Sequence, residues 1–403
     1  MSGDVPIAAA QWLELTSAAR IRAEQLGLPT TAAEDWRYVD VRPLAQVPTA
    51  PCLPVTAVDV AAHRIGLDTV VLVDGLLRQD LAQGEPALAV ADLFAIGSAE
   101  AETHRQRWLG SLAATHDVSA CWSLADLTGG LRLAVRGVAE RPLHLLFIST
   151  GGASGARLVI DLAAGAVGEF VISHVALAPS RSSIGIEVEL GAGASLRLDE
   201  VQHGGDGVQL HRHAWLRLAR DASLAWTTAA RGGDLVRFRS EAVLAAANAE
   251  ATLNGLSVLD GTRQAHHHVR VRHAAGMTRS AQLFKAIADG RAIASFDGLV
   301  AIAKGADGSN AAQKNHNLLL ARTARIDTRP QLDILADDVK ASHGATVGQP
   351  SDDEVFYLRS RGLSHATALA MLTRGFADEV ALAMRNPGAR ALAERLVIGN
   401  LGR

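Results

Sequence analysis

The sequence predicts a mainly β protein, in which a parallel β-solenoid lies between helix-rich N-terminal and C-terminal regions. The first observation behind this prediction is an internal repeat of about 28 residues in the middle of the chain. Small turn residues recur at that spacing at Gly165-Ala166, Gly193-Ala194, Asp221-Ala222, Asn248-Ala249, Gly276-Met277 and Gly305-Ala306. A second set falls near the half-period, at Gly204-Gly205, Gly232-Gly233, Asp260-Gly261 and Asp289-Gly290.

The second observation is the alternation of apolar and polar residues between these turns, as in IEVEL at 186–190. Such alternation is typical of a strand, so each half-unit predicts one strand and one turn. Strand repeats of roughly 20–50 residues occur in solenoids and propellers, and a propeller blade takes roughly 40–45 residues. The shorter period therefore favours a solenoid, and an irregular β-sandwich with accidental spacing is the alternative.

The third observation is a change of pattern at both ends. Apolar residues from Ile7 to Ala23 keep a helical period, and a second helical zone is expected at about 86–115, after a short strand TVVLVDG. After about residue 340, Ser351 and Glu354 form a capping box that predicts the first of several helices. We therefore predict a helix-rich region at 1–118, a β-helix core at 119–340 and a C-terminal helical region at 341–403.

Charge and cysteine content narrow the function. The 403 residues carry 39 basic and 42 acidic side chains, a net charge of −3, which provides no excess of cations for nucleic acid. The two cysteines, Cys52 and Cys121, are too few for a disulfide framework or a complete four-thiolate iron–sulfur site. Because no membrane span or signal peptide is visible, we expect a cytoplasmic protein without membrane contact.

Several candidate sites are expected to be structural. Neighbouring residues on a strand point to opposite faces, and His266 to His268 lie between arginines beside a predicted turn, so a solvated or structural role is expected. His211 and His213 share one strand face but lack a third ligand, which favours a hydrogen-bonded pair over a metal pair. Neither cysteine has basic neighbours that would activate a thiol, so both are expected to be inert.

The densest polar region lies at 313–361, after the last coil of the repeat. Gly344 and Gly348 permit close approach of the backbone to another group. His343 lies between a hydroxyl residue and a glycine, which favours exposure. On residue types alone, this stretch predicts a binding edge rather than part of the core.

The same region carries a family resemblance. The segments AAQKNHNLLLARTARIDTRPQLDILADDVKASHGATVG and DEVFYLRSRGLS, with EDWRYVDV near the N-terminus, strongly resemble the SufB/SufD family, the scaffold subunits of the SUF iron–sulfur cluster assembly machinery. The likeness extends from about residue 30 to the end of the chain. SufB-type members carry a cysteine segment where this chain has Arg329 to Ile334, and no cysteine follows Cys121. The chain therefore resembles the SufD type.

This resemblance implies a right-handed parallel β-helix that pairs with a SufB-like paralogue and binds a SufC-like ABC ATPase through the C-terminal helices. It implies a nascent iron–sulfur cluster at the interface between the two solenoids, with His343 as a candidate ligand, and a homodimer when the chain is alone. The family commonly has cysteine where this chain has Ala341, so this chain offers no thiolate there. Imidazole replaces thiolate in Rieske centres, so the departure is chemically tolerable.

The tail helices combine an apolar stripe with arginines, a mixture that suits an interface. The expected interface residues are Asp337, Asp338, Lys340, Tyr357, Arg359, Arg361, Leu369, Leu372 and Phe376. A second group should fix the tautomer of the His343 ring, and Asp337, Asp338 and Ser342 are the candidates nearby in sequence.

We expect a non-catalytic scaffold subunit. The alternatives are a solenoid enzyme of lyase or esterase type that acts in a surface groove, and a purely structural solenoid. An enzyme should present paired carboxylates, or a nucleophile and a base, on successive coils of one face, and Glu187 with Glu189 on one strand do not meet that requirement. No Walker A, GxGxxG, HExxH or GxSxG motif occurs, and the sequence makes no prediction for a flavin on the complex.

Overall fold

The computed structural model describes residues 7–49, 52–86, 88–93 and 98–400. Its strands, in chain order, are β1 (Asp68–Val73), β2 (Leu76–Leu77), β3 (Ala89–Asp92), β4 (Leu127–Val135), β5 (Leu143–Ser149), β6 (Gly152–Leu162), β7 (Val167–Ala176), β8 (Ser180–Leu190), β9 (Ser195–His203), β10 (Val208–Leu218), β11 (Ser223–Ala230), β12 (Leu235–Leu244), β13 (Glu250–Leu259), β14 (Gln264–His273), β15 (Arg279–Ala288), β16 (Ile293–Ile302), β17 (Ser309–Leu319), β18 (Arg325–Ile334) and β19 (Val339–Gly348). Its α-helices are α1 (Ile7–Leu26), α2 (Ala57–Ala61), α3 (Ser98–Ala114), α4 (Val118–Ala125), α5 (Asp352–Ser360), α6 (His365–Ala381) and α7 (Pro387–Leu396).

The strands form a parallel β-solenoid, which confirms the predicted fold class. Sheet A is ten-stranded, in the order β19-β17-β15-β13-β11-β9-β7-β5-β1-β2, and sheet B is nine-stranded, in the order β18-β16-β14-β12-β10-β8-β6-β4-β3. Successive strands from β4 onward alternate between the sheets, so each coil contributes one strand to each. Among the strands described, the pairs β1–β2 and β3–β4, at the N-terminal end, are the antiparallel ones.

The predicted turns stack on one another in register. Gly165, Gly193 and Asp221 all have positive φ, between 57° and 70°. The Gly165 amide donates to the Ala192 carbonyl one coil later, and the Gly193 amide donates to the Arg220 carbonyl, both at 2.8 Å. A turn that requires left-handed backbone and bonds to its copy in the next coil explains why small residues recur at this spacing.

The space between the sheets is apolar through most of the solenoid. One inner row of sheet A runs through Phe170, Leu198, Trp226 and Leu253, which are in register and buried. Because each coil buries its inner residues against its neighbours as well as the opposite sheet, the hydrophobic cluster is continuous along the stack. The core therefore depends on stacking of coils rather than on any single unit.

The helices α1, α3 and α4 lie against the outer face of sheet B, whereas α2 packs on sheet A through Val60. The short 3₁₀ helix Glu34–Trp36 attaches them: Asp35 pairs with Arg239 at 2.6 Å, and Glu34 pairs with Arg329 at 2.7 Å. Asp117, the N-cap of α4, is buried with Arg237 at 2.6 Å. We call residues 7–49 together with α3 and α4 the arm.

Part of the predicted helical zone at 86–115 is a strand. β3 occupies Ala89–Asp92, because it pairs antiparallel with β4 and starts sheet B. α3 occupies Ser98–Ala114 of the zone, and positions 87 and 94–97 lie outside the described residues.

The sheets also extend past the span 119–340. β1 pairs with β5, and β19 pairs with β17 through Gly348. The sequence of β19, KASHGATVG, is rich in small residues, so its strand conformation is set by pairing with β17 more than by local preference.

The C-terminal helices begin at polar caps. Ser351 caps α5 as predicted and accepts from the Glu354 amide at 3.4 Å, but the return bond from the Glu354 side chain that would complete the predicted capping box is not among the hydrogen bonds of the described residues. Ser364 caps α6, and Asn386 caps α7 just before Pro387. The second half of α6 and α7 pack on the outer face of sheet A, in a separate hydrophobic cluster with Val201, Leu256 and Ile287 among others. This packing fixes the tail to several coils of the solenoid.

Candidate functional site

The C-terminal end of the solenoid is open. β18 and β19 are the outermost strands of their sheets, each with a neighbour on one side only. Nearly every residue of β19 is exposed, whereas the inward residues of β17, one coil below, are buried. An outermost strand leaves half of its backbone N–H and C=O groups unpaired, so this end is a template for another strand.

His343 lies in the middle of β19. It is exposed and pairs in register with Gln313 of β17, whose side chain is buried inside the solenoid. Residues in register on parallel strands share a face, so His343 continues an inner row and faces the open end of the lumen. This position satisfies the predicted exposure.

Asp337 and Asp338 lie in the bend just before β19, and Lys340 is the second residue of that strand. The Asp338 carbonyl accepts from the Gly308 amide at 2.7 Å, which continues the stack of turns. Five residues of strand separate Asp338 from His343, a distance of about 16 Å. Ser342 is on the opposite face of the strand. None of the three acceptors expected from the sequence is therefore placed to bond the His343 ring.

The tail residues divide into two groups. Tyr357, Arg359 and Arg361 are exposed on α5, with the Arg361 guanidinium 5.3 Å from the Tyr357 ring centroid. Leu369 and Leu372 are half-buried on the first half of α6.

Phe376 packs inward instead. Lys285 donates to its carbonyl at 3.0 Å, lies 4.1 Å from its ring centroid and pairs with Glu379. Phe376 thus attaches α6 to the solenoid rather than lying free for an interface.

Two exposed apolar residues of this region were not singled out from the sequence. Phe356 is 71% exposed on α5, and Met371 is 51% exposed on α6. Phe356 precedes Tyr357 in a run of apolar residues, and their periodicity does not tell which of them face solvent. The packing of α5 against α6 decides which apolar residues of the run are exposed. We call Phe356, Tyr357, Arg359, Arg361 and Met371 the tail surface.

The adjacent histidines are structural and buried rather than solvated. The Nδ1 atom of His266 is 2.7 Å from the Ser295 hydroxyl, His267 stacks on Phe238 at 5.0 Å, and His268 lies 3.4 Å from Asp297. Burial is the main cause that lowers the pKa of both His266 and His267 to about 3. These rings are therefore neutral at physiological pH.

The pair His211 and His213 is buried between sheet B and the arm. The His213 Nε2 atom is 3.2 Å from Glu241, whereas the His211 ring packs 4.8 Å from the Trp122 ring and has no hydrogen-bond partner among the described residues. Burial lowers the pKa of His211 to about 3 and that of His213 to about 4. Only His213 fits the expected hydrogen-bonded pair.

The cysteines carry no sign of activation. Cys121 is fully buried, and burial raises the pKa of its thiol to about 11. Cys52 is exposed, and its sulfur lies 3.9 Å from the Gly151 carbonyl oxygen.

Two cavities lie between the arm and sheet B. They measure about 320 and 230 Å³ and share Ser111, Arg157, Trp215 and Glu241 in their walls. Glu187, beside Arg157, is bonded by the Trp108 indole and by Arg107. Glu187 is thus already paired within the chain, as is Glu241 with Arg239.

Within the described ranges, no three or more His, Cys, Asp and Glu side chains converge as a metal site. None of the helices described has both the length and the apolar character needed to cross a bilayer.

Comparison with known proteins identifies the family. Residues 147–376 match the family described as "SUF system FeS cluster assembly, SufBD core domain". The chain belongs to the SufBD family. It is 29% identical over 375 residues to the iron–sulfur cluster assembly protein SufD of Escherichia coli (strain K12), which covers 90% of this chain and 87% of the relative.

Other SufBD relatives support the same assignment. A SufBD family protein of Synechocystis is 26% identical and covers 88% of this chain and 83% of its own length. One from Mycobacterium bovis is 33% identical over 193 residues, 46% of this chain and 48% of the relative. This SufD-like member of the SufBD family thus takes part in iron–sulfur cluster assembly.

Proposed function

We propose that this chain is the SufD-like subunit of a SUF assembly complex, a non-catalytic scaffold that pairs with a SufB-like solenoid and binds a SufC-like ATPase. The nascent cluster is the cargo of this complex, built where the two solenoids meet. The observation that carries the proposal is the position of His343, an exposed imidazole in the middle of the outermost strand of an open solenoid.

Strand addition explains how the two solenoids would pair. The free edges of β18 and β19 extend both sheets in one direction, so a paralogous solenoid that docks there continues the stack. The inner row that ends in His343 would then lie at the junction, shielded from water by both chains.

Cluster ligands must come from both sides of that junction. Ala341 and His343 share a strand face, and only His343 has a ligand atom. The partner therefore supplies the thiolates, and this chain supplies one neutral imidazole nitrogen, a combination with precedent in Rieske centres.

The tail surface is the proposed contact for the ATPase. α5 begins at Asp352, four residues after β19 ends, so an ATPase held there sits next to the open end of the solenoid. Phe356 and Met371 supply apolar contact area, and Arg359 and Arg361 supply charged anchors.

The enzyme alternative has less support. Glu187, Trp215 and Glu241 are in register on successive coils beside the two cavities, which is the arrangement an enzyme would need. Burial alone would raise the pKa of Glu241, but His213 and Arg239 hold it well below its usual range. A carboxylate held by an arginine in this way is a poor acid or base near neutral pH.

Anaerobic co-expression of the tagged chain with SufB-like and SufC-like proteins tests the proposal. We expect both to co-purify with the wild type, and iron and sulfide to be lost in His343→Ala while the three subunits still co-purify. Ser342→Ala, the adjacent exposed residue on the opposite strand face, is the matched control. A His343→Ala complex with wild-type iron and sulfide would remove His343 from the site.

The tail surface has its own test. Residues 351–403 include the α6 and α7 segments that cover sheet A, so point variants are cleaner than deletion. Phe356→Ala with Met371→Ala should abolish ATPase co-purification and leave the pairing of the solenoids intact. Leu382→Ala, exposed just after α6, serves as the control. Unchanged ATPase recovery with the double variant would refute this contact.

A further inference from the structure

The inner row of sheet A changes character at the open end. After Phe170, Leu198, Trp226 and Leu253, the next three positions in register are Gln282, Gln313 and His343. Gln282 and Gln313 are 3% and 1% exposed. Burial of two carboxamides where apolar residues would pack is costly unless their polar atoms are bonded.

The two carboxamides bond to each other but leave one donor, Gln282 Nε2, and one acceptor, on Gln313 beside the open end, without partners among the described residues. Gln313 Nε2 donates to Gln282 Oε1 at 3.1 Å. Gln313 Oε1 is buried and has no partner among the described residues. A buried carbonyl oxygen without a hydrogen-bond donor is energetically costly, so we expect a donor to bond it.

The opposite sheet, sheet B, has a glycine where the Gln313 carboxamide lies. A Cβ atom on Gly298 of β16 would lie 2.5 Å from Gln313 Nε2, so only glycine leaves room for the side chain there. Gly298 and the bond to Gln282 together hold the carboxamide in one place. The next group along the row is the ring of His343, on a strand about 4.8 Å away.

We propose that Gln313 is the positioning residue for His343: its Oε1 atom accepts a hydrogen bond from the protonated ring nitrogen. A neutral imidazole has one N–H and one lone pair, and the partner of the N–H decides which nitrogen is free. With Gln313 below it in the row, the free nitrogen is turned toward the open end. The role of this hydrogen bond toward the cluster rests on the proposed function, whereas the bond itself is independent of it.

The test is the tautomer of His343 in the full chain alone, read from ring nitrogen shifts at about pH 8 after ¹⁵N-histidine labelling. A His343→Gln variant assigns the signals. In the wild type we expect one ring nitrogen to be protonated and the other free. In Gln313→Leu the two shifts should move toward each other as both tautomers become populated.

Two further variants separate positioning from packing. Gln313→Glu keeps an acceptor oxygen and should restore the single tautomer. Lys314→Leu, the adjacent residue on the outer face of β17, should leave the wild-type shifts unchanged. A merely structural role for Gln313 would alter thermal unfolding in both Gln313 variants without this pattern.

The proposal is overturned by averaged tautomers in the wild type, or by identical His343 shifts in the wild type and a folded Gln313→Leu. The wild-type measurement decides even if the leucine variant does not fold. Because no partner or iron is present, failure here leaves the iron and sulfide measurement on His343→Ala as an independent test of the proposed function.

Discussion

Asp117 and Arg237, which are 120 residues apart in the chain, form a buried ion pair at 2.6 Å. Asp117 caps α4 and also accepts from Arg239 at 3.0 Å, so one carboxylate joins the arm to two positions on β12. Burial alone would raise the pKa of Asp117, but Arg237 and Arg239 lower it well below its usual range. The carboxylate therefore stays charged throughout the physiological range.

Asp117→Asn should weaken the attachment of the arm. The change leaves Arg237 buried without a full counter-charge, which costs about 3–5 kcal/mol in the free energy of unfolding. Urea unfolding and limited proteolysis of the arm measure the effect. Glu250→Gln, which removes an exposed pair with Arg279, is the control and should change stability by less than about 1 kcal/mol. Equal effects of the two variants would contradict the role of Asp117.

Lys285→Met should loosen α6. The variant retains the length of the side chain but leaves the Phe376 carbonyl without its donor, at a cost of about 1–3 kcal/mol. Hydrogen exchange should rise in α6 and α7 and stay unchanged in the arm. Lys304→Met, at an exposed turn, is the control. Uniform exchange across the chain would show that Lys285 does not act locally.

Acid should unfold the protein through its buried histidines. Burial lowers the pKa of His144, His211, His266 and His267 to about 3 each, below the unfolded value of 6.5. Below about pH 6.5 the unfolded chain binds protons that the folded chain does not. Each ring therefore contributes stability that is complete above pH 6.5 and is lost as pH falls, by about 1.4 kcal/mol per pH unit. Urea midpoints between pH 8 and pH 4 measure this, and a flat profile would contradict it.

Asp199 should have the opposite effect on stability, because its contribution falls as pH rises. Burial is the main cause that raises its pKa to about 6, and its carboxylate accepts from the Asn386 amide at 2.7 Å. The folded chain binds this proton more tightly than the unfolded chain, so the contribution of Asp199 is lost as pH rises from about 4 through 6. Asp199→Asn should increase the free energy of unfolding at pH 8 by up to about 3 kcal/mol and change little near pH 4. A loss of stability at pH 8 would refute this.

The periodic part of the fold could be predicted because its causes are local and repeated. The same turn requires positive φ in each coil, as at Gly165, Gly193 and Asp221. The spacing of these residues therefore gives the length of the coil. The end of the core was harder to locate. β19 is rich in small residues with weak strand preference, and its strand conformation depends on pairing with the edge of β17.

The site could be predicted only in part. The exposure of His343 follows from its neighbours in sequence, but its inner-row partner does not. Gln313 is thirty residues away and comes next to His343 only through the register of two coils. The same limit applies to Phe376, whose inward packing depends on Lys285 from a strand 91 residues earlier.

The ion pairs of the arm have a consequence for the order of folding. Glu34 and Asp35 are adjacent, yet their partners Arg239, Arg270 and Arg329 lie on three different coils. Those arginines come into line only after the coils have stacked, and closing such long loops earlier is entropically unfavourable. We therefore expect the arm to pack on the solenoid after its coils have stacked. Pulse-labelled hydrogen exchange should find the amides of the arm protected after those of the strands.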